Sequence, residues 1–118
     1  MDAYTFKYND CSLAFDMDEY EDASRYNAAL KKLLTTPCPD RRISQHGYIQ
    51  AYCRAIRTFF DDIFGEGAAE QLIGKNQNKR THDAAYNAFL KFVSAQVEES
   101  DRRVNDAIKK YAPGGGEK

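Results

Sequence analysis

Apolar residues return at helical spacing along most of this chain, and only the first sixteen positions follow a different rhythm. Tyr4, Phe6 and Tyr8 alternate with Thr5 and Lys7, and a second alternation follows at Leu13 and Phe15. Asn9-Asp10 lies between them and tolerates the positive φ that a tight turn requires, so residues 3–16 read as a β-hairpin. A lone hairpin is marginal in water, which places its apolar face on helices. From residue 20 the period lengthens. Tyr20, Ala23, Tyr26, Leu30, Leu33 and Leu34 define a first helix that ends near Thr35, before the loop opened by Pro37-Cys38-Pro39. Asp18, with Glu21 three positions later, has the arrangement of a capping box at its start.

Ser44 is placed to cap a second helix reaching to about Phe64. Tyr48, Ile49, Tyr52, Cys53, Ile56, Phe59, Phe60, Ile63 and Phe64 cover one broad face. Arg54, Arg57, Asp61 and Asp62 cover the other, with Arg57 and Asp61 spaced as an i,i+4 ion pair. Gly65 suits a left-handed helix stop. A short helix over Ala68–Ile73 follows and ends at Gly74. Residues 75–80 are polar and basic and read as a loop, after which Thr81 or Asp83 begins a long last helix. Its apolar stripe is Ala85, Phe89, Phe92, Val93 and Val97; residues 98–103 are almost wholly charged, and apolar positions resume at Val104, Ile108 and Tyr111. Pro113-Gly-Gly-Gly116 stops this helix and leaves 113–118 as a disordered tail. The expected fold is α+β, mostly α: an N-terminal β-hairpin packed on a bundle of three main helices plus one short helix, in a single domain over residues 1–112.

The 118-residue length suits one domain, and 42% hydrophobic residues with eight Tyr and seven Phe supply a core for it. A net charge of -1 conceals a polarity. Residues 1–22 carry seven acids against Lys7, a balance of -6, and the rest carry sixteen bases against eleven acids, a balance of +5. Such polarity steers a partner or favours head-to-tail self-association, although an ordinary solvated surface has the same signature. Cys11, Cys38 and Cys53 cannot all pair within one chain and form no Cys-x-x-Cys motif, which fits a reducing cytosol. No apolar run approaches the ~20 residues of a membrane span.

Candidate chemistry is sparse. Cys11, Cys38, Cys53, His46 and His82 match no metal-site spacing, and both histidines read as surface residues. Cys53 lies on an apolar helix face, where burial raises a thiol pKa and silences it. The glycines at 65, 67 and 74 form no phosphate-binding loop. With a pI near 6.1, nucleic-acid binding lacks its usual basic surface. No catalytic residue, cofactor site or metal site is expected, and the chain reads as a binding protein. Asp61, Asp62 and Glu66 make an acidic cluster that is either solvated surface or a partner-binding patch. Neighbouring helical positions diverge by about 100°, so Asp61 and Asp62 do not converge by themselves. Val97, Val104, Ile108 and Tyr111 form a narrow apolar seam on a charged helix. Such a seam meets either a partner helix or this chain's own hairpin or first helix.

Several segments carry a family likeness: Tyr4-Thr-Phe-Lys-Tyr-Asn9, Phe15-Asp-Met-Asp18, Ala51-Tyr-Cys53, Phe59-Phe-Asp-Asp-Ile-Phe-Gly-Glu-Gly67 and Ala85-Tyr-Asn-Ala-Phe-Leu-Lys-Phe-Val93. Together they resemble a family of small proteins from phages and prophages of Gram-positive bacteria, similar to tail assembly chaperones. The resemblance implies a non-enzymatic protein of the host bacterial cytoplasm that shields the tape-measure protein until the tail tube forms around it. A possible homo-oligomer through the last helix is compatible with it. A phage-encoded inhibitor that blocks a host defence protein is the alternative, with residues 10–22 presenting carboxylates to a basic pocket.

Overall fold

Two four-residue strands open the fold. β1 (Thr5–Tyr8) and β2 (Cys11–Ala14) pair antiparallel, with Tyr8 opposite Cys11 and Thr5 opposite Ala14. Asn9 is the only described non-glycine residue with positive φ, 52°, the backbone state a two-residue reversal needs. Its side chain also donates to the Leu72 carbonyl at 2.8 Å, so the turn is stitched to the helical body. This computed structural model describes residues 3–111; the expected tail at 113–118 lies outside them.

Among the described residues the helices are α1 (Tyr20–Thr35), α2 (Gln45–Phe64), α3 (Ala68–Ile73) and α4 (Lys79–Tyr111). The α+β, mostly helical class is as the periodicity requires. Ser44 caps α2 as expected, its hydroxyl accepting from Gly47 N at 3.1 Å. Asp18 does not cap α1. Glu19 occupies that position with no side-chain cap, and Asp18 instead accepts from Ser100 at 3.0 Å and Arg103 at 2.8 Å on α4. A guanidinium is a stronger partner for a carboxylate than a neutral amide. Asp22, in the first turn of α1, reaches back to Asp16 N at 2.9 Å.

α4 starts earlier than the expected Thr81 or Asp83. Asn78 Oδ1 accepts from Arg80 N at 2.8 Å and Thr81 N at 3.2 Å, so the polar loop itself supplies the cap. Gly65 has the expected positive φ, but at φ 108 and ψ 158 it is extended rather than left-handed helical, a region essentially confined to glycine. Gly67, at φ 94 and ψ -9, is the left-handed residue. The Asp61 carboxylate accepts from Ala69 N at 2.9 Å and so serves α3 as a borrowed cap.

The core gathers around Phe89, which is fully buried. Its ring lies 5.2 Å from Phe6 of β1, 5.3 Å from Phe15 beyond β2, and 6.0 Å from Tyr26 of α1, centroid to centroid. Phe59, Phe60 and Phe64 of α2 stand at 6.0, 5.7 and 5.5 Å, mostly edge-on, the favoured aromatic geometry. Two turns further along α4, buried Gln96 holds the hairpin. Its amide donates to Ala3 O at 2.9 Å and Phe15 O at 2.8 Å, and its carbonyl accepts from Met17 N at 2.7 Å. Phe89→Ala is expected to lower unfolding free energy by about 3–5 kcal/mol. Gln96→Leu keeps the volume but orphans three backbone groups, at about 1–3 kcal/mol for each that stays dry. Urea denaturation followed by circular dichroism checks both, and a Gln96→Leu protein as stable as the parent would refute the clamp.

Candidate functional site

Four places in this fold were open to a functional reading: the charged end of α4, the acidic cluster after α2, the cysteines and histidines, and the hairpin–helix junction. The first is the end of α4. Every residue from 101 to 110 is exposed, so the helix leaves the body rather than folding back onto the hairpin or α1. Val97, Val104 and Ile108 retain 40%, 53% and 60% of their accessible surface, and no other part of the described chain covers the seam they form. Tyr111 is the last helical residue. Ser100 and Arg103, bonded to Asp18, fix the direction in which the helix departs. Neighbouring ion pairs at Glu99–Arg102 and Glu99–Arg103 lie along the helix itself.

The acidic cluster is dispersed. Asp61 caps α3, Asp62 pairs with Lys32 of α1 at 3.3 Å, and Glu66 is exposed on the turn between α2 and α3. The expected Arg57–Asp61 pair is absent from the described contacts: Arg57 turns the other way and donates to the carbonyls of Gly74 and, at 3.1 Å, Asn76. Those carbonyls follow the end of α3, where a cation is favoured. In the N-terminal acidic stretch, Asp16, Asp18 and Asp22 are likewise bonded within the chain.

His82 is not a surface residue. It is fully buried at the start of α4, with Nδ1 2.7 Å from the Asn78 carbonyl and no hydrogen-bond partner for Nε2. Burial pushes its pKa down; Arg57 adds to this, while the Asn78 carbonyl and Asp83 work against it. Nearby, burial and a hydrogen bond to Asp83 raise the Tyr52 hydroxyl well above its usual range. Burial alone would raise Asp83, but hydrogen bonds from Lys79, at 2.7 Å, and from Tyr52 hold it low. Cys53 is buried and its thiol is pushed up by that burial, against Arg57 and Lys79, the reverse of what a thiol nucleophile needs. Among the described residues no group of three His, Cys, Asp or Glu side chains is placed to hold a metal ion. None of the described helices is long and apolar enough to cross a membrane.

The hairpin–helix junction holds the surface that periodicity did not reveal. A groove of about 490 Å³ runs between β1 and α4, lined by Phe6, Ala88, Phe92 and Ala95, with Lys7, Lys91, Asp18, Glu99 and Arg103 at its rim. Phe6 is buried, Phe92 half-buried and Ala95 exposed, so the groove is a shallow apolar trough with a mixed-charge border. At about 100° per residue, the stripe Ala88, Phe92, Ala95, Glu99 lies on the side of α4 opposite Val97, Val104 and Ile108. The spacing of Ala88, Phe92 and Ala95 was the available signal, but two alanines are too small to mark an apolar face against helix background.

With this geometry in place, the chain belongs to a family of unknown function (DUF6673), which it matches over residues 9–118. No curated protein and no solved structure matches it.

His82 also generates a pH dependence. Its folded pKa is depressed, so the unfolded chain takes up the proton first. The stability it contributes is full above roughly pH 6.5 and is lost as pH falls through that value toward the folded pKa. Urea midpoints are expected to fall between about pH 7 and pH 5, and His82→Gln, which retains a donor for Asn78, should flatten that stretch. An unchanged slope in His82→Gln would rule the histidine out as its source.

Proposed function

We propose that the protein works by binding another polypeptide rather than by chemistry, and that it is a phage tail assembly chaperone acting in the host bacterial cytoplasm. The groove between β1 and α4 carries this reading. Its stripe from Ala88 to Glu99 spans roughly 16 Å, the length of three helical turns, and its apolar floor with a two-sign rim suits the apolar face of an amphipathic helix. A tape-measure protein offers such helices before the tail tube encloses it. The resemblance of the Phe59–Gly67 and Ala85–Val93 segments to tail assembly chaperones is what favours a tape-measure protein as the partner. Inhibition of a defence protein draws less support, because three of the carboxylates it would present are bonded within the fold.

Co-expression with a tape-measure fragment tests the reading. The fragment should gain solubility and co-elute with this protein on size-exclusion chromatography. Ala95→Lys places a charge in the groove without touching the core and is expected to weaken capture at least about tenfold, equivalent to about 1.4 kcal/mol. Val104→Asp, on the opposite face, should leave capture unchanged. Undiminished capture by Ala95→Lys would remove the groove from the reading, and no capture by the parent would remove the partner.

A further inference from the structure

We infer that the projecting end of α4 pairs antiparallel with the same segment of a second copy of this chain. The inference is separate from the chaperone reading, since it uses the other face of the helix. Residues 97–111 continue α4 over roughly 22 Å, and the stretch from 101 to 110 is exposed throughout. Val97, Val104 and Ile108 are spaced seven and four apart, the repeat of a two-helix seam. Their exposure, 40% to 60%, leaves this seam uncovered.

Charge order selects the occupant. On one side of the seam lie, in chain order, Glu98, Asp101, Asn105 and Lys109, with Asp101 nearest the seam and Lys109 farthest from it at about 100° per residue. This flank runs from acid through a neutral amide to base. In an antiparallel pair, like flanks face each other with the order reversed. The Glu98–Asp101 end of each helix therefore meets Lys109 of the other, twice, across a two-fold axis between Asp101 and Ile108. The opposite flank, through Ser100 and Arg103, is already bonded to Asp18 and keeps the seam turned away from the body. A parallel two-fold pair would set Asp101, at the edge of the seam, close to its own copy, which like charges oppose. It would also crowd the two folded bodies at one end, whereas the antiparallel pair places them at opposite ends. A closed isologous contact of this kind gives a dimer and stops there.

Light scattering on a size-exclusion column, over a dilution series of the full chain alone, reads the result. The parent is expected to pass from one-chain to two-chain mass as concentration rises. Val104→Asp and Lys109→Glu, both at exposed positions, should each weaken self-association more than about tenfold, with helical circular dichroism retained. Ala95→Lys, on the groove face, should dimerise like the parent. Mixing Lys109→Glu with the double variant Glu98→Lys, Asp101→Lys should restore a one-to-one pair, since one flank is then wholly acidic and the other wholly basic. A parent that stays at one-chain mass throughout overturns the inference. So does a Val104→Asp protein that dimerises normally, or a charge-swapped mixture that fails to pair.

Discussion

Phe89 is the contact on which the rest of this fold depends. A hairpin of two four-residue strands cannot hold itself together in water, and neither of its strands has enough apolar surface to fix its position on a helix. The Phe89 ring solves this by standing where Phe6, Phe15, Tyr26 and the Phe59, Phe60 and Phe64 cluster converge. Hairpin, α1 and α2 are thereby referred to one point on α4. Aromatic edges fix orientation as well as burial, so the site sets angles between elements. Gln96 completes the arrangement by supplying polar partners to three backbone groups of the hairpin's ends. Apolar packing places the hairpin, and one buried amide sets its depth along the helix.

The elements that could be read from sequence are those whose signals are local. Alternation marked the hairpin, Asn9 its turn, the prolines after Thr36 the end of α1, and Gly65 and Gly74 the ends of α2 and α3. Ser44 was legible because a hydroxyl before a helix has few competing partners. Asp18 was not, because a carboxylate responds to charge wherever the fold brings it, and here Arg103 arrives from eighty-five positions away. Asn78 was hidden for a related reason: in a run of polar residues nothing local distinguishes the one that caps.

His82 and Gln96 were missed for a different cause, and the information was present. Together with Ala85, Phe89 and Val93 they recur at intervals of three and four, so the buried stripe of α4 reads 82, 85, 89, 93, 96. Weighing side-chain type before helical register made His82 look like surface and left Gln96 out of the stripe. The reverse order would have flagged them as buried groups needing partners, which is how a clamp or a titrating core residue declares itself. The seam and the groove differ in the same respect. Large β-branched residues on a charged helix are conspicuous, but small residues forming a trough with a neighbouring strand acquire meaning only when the strand is in place.

α4 thus presents three faces: one buried beneath the hairpin and α2, one open toward the groove, and one bare. The bare segment poses a physical problem of its own. An isolated helix of about fifteen residues is marginal in water, and the exposed ion pairs at Glu99 add only about 0.2–0.5 kcal/mol apiece. What carries the helix past Val97 is the nucleus supplied by the buried half together with the Asp18 contacts to Ser100 and Arg103. These hold the first projecting turn in line, so elongation proceeds without a new nucleation. Beyond Arg103 that support is gone, and the apolar residues at 104 and 108 gain nothing from a helix that remains alone. Covering those two side chains while keeping the flanking charges in water is therefore the change that would stabilise the segment most. A second helix laid along the seam does both at once.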